Sequence, residues 1–288
     1  MRRFLGPLIV IAVIAGIFLF VANDLLSGGF ADEFDELSDR TTDDVLTVLD
    51  DDEGFSDVQV FDVLADASLE PQAEGLAAEA WQLWVRLAGE ENVAQLVTQY
   101  RAGEAPQSSA LAYVFQDPGI RQFTLAVNLS AADDEAQLVS TLVHEWSHVL
   151  SLEVEQFDES SLEGDVADCA TLVLTQGCLT DESYLWQFYD EFWAGYSKHP
   201  DVHNDSPVLA EDFFTTHSAD FVSEYAATNP LEDFAESVTV FVVANDDDPF
   251  ADLGDTAALK VEFFEQYPEL VDWREHVREV AAVELGLR

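Results

Sequence analysis

With 288 residues the chain is long enough to bury a sizeable core in one or two domains, and 48% hydrophobic residues, with 20 Phe and 6 Trp, exclude a disordered polymer. Its 58 Asp and Glu stand against 11 Lys and Arg, a net charge of -47 that repels nucleic acid and anionic lipid and excludes both as partners of the folded part. Such a surface stays hydrated in high salt, which screens its self-repulsion and suits a halophilic source; the alternative is an electrostatic filter for basic substrates.

Arg2 and Arg3 precede an apolar run from Phe4 to Ala22, which as a helix would span about 28 Å, close to the roughly 30 Å hydrocarbon core of a bilayer. A cleavable signal usually has a shorter apolar region, of about 7–15 residues, so residues 1–23 read as a single-pass transmembrane anchor. The arginines would lie inside and the remainder outside the cell; secretion after cleavage is the alternative. Residues 24–53 are dense in Asp and Glu and read as an acidic linker, leaving 54–288 as the folded domain.

Within that domain, Gly54 to Leu64 alternates like a strand, and Pro71 to Leu87 carries apolar residues at helical spacing. A further helix is expected over Glu91 to Arg101. Two strands follow, Ala110–Phe115 and Arg121–Leu129, separated by the turn signal Gln116-Asp117-Pro118-Gly119. Ser130 offers an N-cap for a helix running to about Leu150. Cys169 and Cys178 are close enough in sequence to bridge in an oxidising compartment, a loop worth about 2–3 kcal/mol. Ser183–Tyr196 concentrates seven aromatic residues and reads as a helix supplying an aromatic core layer. Helices are expected at Leu209–Phe221, Glu232–Val243, Ala257–Tyr267 and Val271–Leu285. The class is therefore α+β: a small mixed sheet followed by a mainly helical C-terminal half.

The chemistry lies in His144-Glu145-Trp146-Ser147-His148, an HExxH sequence inside the expected helix. His144 and His148 are one turn apart, so both imidazoles leave one face and can share a metal. Glu145 lies about 100° round the helix, beside the metal, where it can take a proton from a bound water. A catalytic zinc site needs a third protein ligand. No His lies between His148 and His199, which points to a carboxylate instead. In Asn229-Pro230-Leu231-Glu232-Asp233-Phe234-Ala235-Glu236, Glu232 and Glu236 share a helical face, and geometry permits either to be that ligand. Asp233 should point off that face towards the helix N-terminus.

With HExxH upstream, the run Tyr225, Thr228, Asn229, Glu232, Phe234, Ala235 and Glu236 resembles the gluzincin metallopeptidases, and more closely the catalytic domain of the anthrax lethal-factor type. That resemblance implies a zincin-like fold with Zn2+ held by His144, His148 and Glu232. It also implies Glu145 as general base, Tyr225 as a donor to the reacting amide, and Glu236 as the partner that orients a ligand histidine. The expected activity is that of a membrane-anchored, extracytoplasmic endopeptidase acting on a peptide or protein. The alternative is a non-catalytic gluzincin-fold binding or envelope protein. The strand Phe123–Asn128 is expected at the cleft edge, and His217 in a surface or packing role.

Overall fold

The computed structural model describes residues 55–286, apart from 107, 109, 117–121, 133, 163–168 and 245–252. The expected anchor, the acidic linker and the turn at 117–119 lie outside these residues. Among the described residues no helix is long and apolar enough to cross a membrane.

The architecture is mixed α+β, as expected. Five strands, β1 (Ser56–Val63), β2 (Leu69–Glu70), β3 (Val97–Glu104), β4 (Ala112–Gln116) and β5 (Phe123–Asn128), form one sheet in the order β2-β1-β3-β5-β4. β3 and β5 are parallel and the other pairs antiparallel, so the sheet is mixed. Helices α1 (Gly75–Ala88) and α2 (Glu90–Leu96) lie between β2 and β3, and α3 (Glu135–Leu152) follows β5. A short hairpin, β6 (Val173–Leu174) with β7 (Gly177–Cys178), precedes α4 (Tyr184–Phe192), α5 (Pro207–His217), α6 (Pro230–Val243), α7 (Asp255–Glu262) and α8 (Pro268–Val280). Cys169 and Cys178 are disulfide-bonded across this hairpin region, with Cα atoms 5.7 Å apart.

The expected helix over Glu91–Arg101 is half right: α2 stops at Leu96 and the chain continues as β3. Val97, Thr98 and Tyr100 fit a pleated surface, and Tyr100 packs between Phe61 and Trp81, with ring centroids 5.5 and 5.1 Å away. Paired on both edges, β3 is fixed by sheet contacts that local sequence does not display.

The long helix starts later than Ser130. Residues Leu129–Ala131 form a 3-10 turn, and Asp134 caps α3 by accepting from Gln137 N at 3.0 Å. Once formed, α3 is buried nearly all round. Trp146 meets Trp84 edge-on at 5.3 Å, while the opposite side faces α6. The aromatic run is a core layer as expected, with Phe188 against Phe234, Phe263 and Phe264, although α4 ends at Phe192.

Two expectations about placement fail. β5 lies inside the sheet, flanked by β3 and β4, so its backbone is already paired and β4 is the edge strand. Asp233 is fully buried; it pairs with Lys260 at 2.6 Å and accepts from Trp193 Nε1 at 2.7 Å, well away from a capping role.

Candidate metal centre

Helix α3 carries His144, Glu145 and His148, all buried despite their polarity. Helix α6 brings Glu232 and Glu236 against them. Asn229 fixes where α6 begins: its side chain accepts from Leu231 N and Glu232 N at 2.8 and 3.0 Å, and Pro230 supplies the first-turn geometry. Asn204 holds that cap in place, accepting from Asn229 Nδ2 and donating to Thr228 O, both at 2.9 Å. Glu232 thus enters the first turn, where the helix dipole favours a carboxylate.

Three atoms converge. His144 Nε2 lies 3.1 Å from His148 Nε2 and 3.3 Å from Glu232 Oε2, and His148 Nε2 lies 3.5 Å from that same oxygen. This group could hold a metal ion, and it is the one such cluster found among the described residues. Glu236 stands behind it, with Oε1 2.9 Å from His144 Nδ1. In the neutral ring that contact favours the proton on Nδ1, which turns Nε2 into the group as the nitrogen a metal would take. Glu232 Oε2 is buried and has no hydrogen-bond donor. It lies 3.3 and 3.5 Å from the two rings, where a cation, proton or metal, would offset its burial.

The electrostatics agree. Burial pulls the pKa of His144 down, but the Glu232 and Glu236 carboxylates beside its two ring nitrogens outweigh it and hold the ring well above 6.5. Burial lowers His148, against attraction from Glu232. For Glu232, burial acts upward, yet His148 and His144 bring it to about 2. A positive charge is stabilised at this point, whether proton or metal.

Glu145 is fully buried beside the group, and its Oε2 accepts from Val114 N at 2.9 Å. The edge strand β4 therefore fixes the direction of this carboxylate. Tyr225 sits in a 3-10 turn, Tyr225–Thr228, with its ring 6.1 Å from that of His144. Part of its surface remains accessible to water. Its phenol is nevertheless so closely surrounded that burial first, then Glu232, Glu145 and Glu236, raise its pKa well above 10. The phenol therefore keeps its proton at neutral pH. His217 lies against Tyr196 and Phe213, 3.5 Å from Asp220, in the packing role expected of it.

The structure thus gathers His144, Glu145, His148, Glu232, Glu236 and Tyr225 at one place. Sequence reading missed three participants. Ser223 donates from Oγ to Glu236 Oε2 at 2.6 Å, and nothing in the sequence distinguishes it from other serines. The Val114 amide is backbone and carries no sequence signal. The Lys260 partner of Asp233 was visible only as one of two lysines in an acid-rich chain. A groove of about 910 Å³ between the β1–β2 turn and α1, lined by residues such as Ala67, Pro71 and Trp81, contains none of these groups. Asp66, Glu70, Arg86 and Glu90 line it, but among the described residues they form no group that could hold a metal as His144, His148 and Glu232 could. No family model, curated protein or solved structure matches the chain.

Proposed function

We propose that this chain is a zinc-dependent endopeptidase of the gluzincin type, its zincin-like domain held outside the cell by the N-terminal apolar segment. The observation that carries the reading is the triangle of His144 Nε2, His148 Nε2 and Glu232 Oε2, with sides of 3.1, 3.3 and 3.5 Å. Ligands about 2.0–2.1 Å from a tetrahedral zinc are spaced by about 3.3 Å, so the three atoms match one face of that tetrahedron. The donor set, two imidazoles and one carboxylate, is that of catalytic zinc, with a fourth position left for water or substrate. The disulfide supports an oxidising location.

When bound, zinc supplies a Lewis acid that lowers the pKa of water and polarises a carbonyl. The remaining work falls to the chain. Glu145, held by the Val114 amide, accepts the proton of the attacking water and returns it to the leaving amine. The Tyr225 phenol donates to the oxygen on which negative charge grows. Glu236, itself held by Ser223, keeps the His144 proton on Nδ1 and the ring in place. An extended peptide would lie along β4, the edge strand that positions the base, where backbone pairing tolerates varied sequences.

The deciding experiment loads the domain with zinc and follows peptide hydrolysis by mass spectrometry, for wild type and Glu145→Gln. One zinc per chain is expected, with activity that EDTA removes and zinc restores. Glu145→Gln should keep the metal and lose turnover. Zinc-loaded wild type that cleaves nothing in a diverse peptide library would sink the peptidase reading.

A further inference from the structure

Lys260, on α7, is one of only two lysines in the chain and is fully buried. Its ammonium lies 2.6 Å from Asp233 Oδ2, on the residue following Glu232, and 3.8 Å from the centre of the Phe221 ring. Asp233 also receives the Trp193 indole hydrogen bond at 2.7 Å. Phe221 opens the segment that continues into Ser223 and Tyr225. One cation therefore touches both halves of the carboxylate side of the site: the helix that carries Glu232 and Glu236, and the segment that meets it.

A buried ion pair is often no more stabilising than a well-packed apolar pair of the same volume, so stability alone does not account for this one. What an ammonium adds is direction. It holds a carboxylate at hydrogen-bond distance on one side and a ring face on the other, whereas apolar side chains of equal volume can slide.

We propose that Lys260 is a positioning residue for the metal centre. Through Asp233 and Phe221 it keeps α6 in register with the Ser223–Tyr225 segment, so that the Ser223 hydroxyl meets Glu236 and Tyr225 faces His144. The inference rests on the zinc-centre reading above.

The test combines Lys260→Met with Asp233→Asn. Together they remove both charges, nearly keep the volume and leave an acceptor for Trp193. The double variant should unfold at a temperature close to wild type and still bind one zinc. Its zinc affinity should fall by about 10–100-fold, the effect typical of losing a group that orients a ligand. Turnover should fall with KM little changed. A folded double variant with wild-type zinc affinity and wild-type turnover overturns the proposal and leaves the pair as packing. Should the double variant not fold, Phe221→Leu decides, because it keeps the ion pair and removes the ring that lies against the ammonium and, 5.5–5.6 Å away, against Phe213 and Trp193. It should retain zinc and lose turnover by about 10–100-fold through misplaced Ser223 and Tyr225; unchanged turnover overturns the proposal. Wild type that binds no zinc would remove the metal-centre reading itself. Wild type that binds zinc while the variants match it removes the positioning role alone.

Discussion

Glu232 and Glu236 lie one turn apart on the same helix, yet the structure gives them different partners, and substitution should separate them. Glu236→Ala removes two buried contacts, one from His144 Nδ1 at 2.9 Å and one from Ser223 Oγ at 2.6 Å. Hydrogen bonds to an ionised carboxylate contribute about 1.5–3 kcal/mol each, part of which stabilises the fold and part the ring orientation. The part felt at the metal should weaken zinc binding by about 10–100-fold, equivalent to about 1.4–2.7 kcal/mol. Glu232→Ala removes a converging atom itself. Two imidazoles then remain, and tight binding should disappear. Competition of each variant against a chromogenic zinc chelator reads both outcomes on one scale. If Glu236→Ala binds no zinc while Glu232→Ala binds it stoichiometrically, the two roles are exchanged, and the assignment of Tyr225 falls with them.

Two further predictions use other side chains. Tyr225→Phe should retain full zinc occupancy with unchanged affinity while turnover drops by about 10²–10³-fold, as when a single oxyanion donor is lost; stopped-flow hydrolysis alongside metal analysis checks both, and an undiminished rate would remove the phenol from the mechanism. Glu153 has its pKa raised from 4.5 to about 6, first by burial and then by Glu155. For an acid raised on folding, the native state binds the proton more tightly, so stability is lost as pH rises from 4.5 through about 6. Glu153→Gln should therefore raise stability above pH 6, by about 1 kcal/mol once solvent exposure is discounted, and give no gain below pH 4.5. Denaturant unfolding at pH 7.5 and pH 4 tests this; an equal gain at both would point to packing and away from charge.

What the sequence displayed was what local pattern controls. The HExxH helix, the start of α6 at Asn229-Pro230 and the aromatic layer of α4 each depend on residues near one another in the chain, and each lies within a few residues of its expected place. Failures came where distant segments decide. Val97–Glu104 is a strand because β1 and β5 pair with it on either side. Phe123–Asn128 lost its expected edge because β3 lies beside it. Asp233 reads locally as a first-turn acid, and only the approach of α7 with Lys260 makes it a buried partner. Likewise, choosing between Glu232 and Glu236 needs the position of His144, since the two sides of that ring face different carboxylates.

Composition alone made the carboxylate ligand the hardest to choose, because an acid-rich surface gathers a loose atmosphere of cations without building a site. Burial narrows the candidates. Among the described residues the buried acids are Glu145, Glu232, Asp233 and Glu236, all on the two facing helices α3 and α6. Removing a carboxylate from water is costly unless donors or a cation replace the water. Val114 N donates to Glu145, and Lys260 and Trp193 satisfy Asp233. His144 and Ser223 satisfy Glu236. Glu232 directs a buried oxygen at two imidazole nitrogens, 3.3 and 3.5 Å away. A cation held by His144, His148 and Glu232 would offset that burial, whereas surface acids are already hydrated.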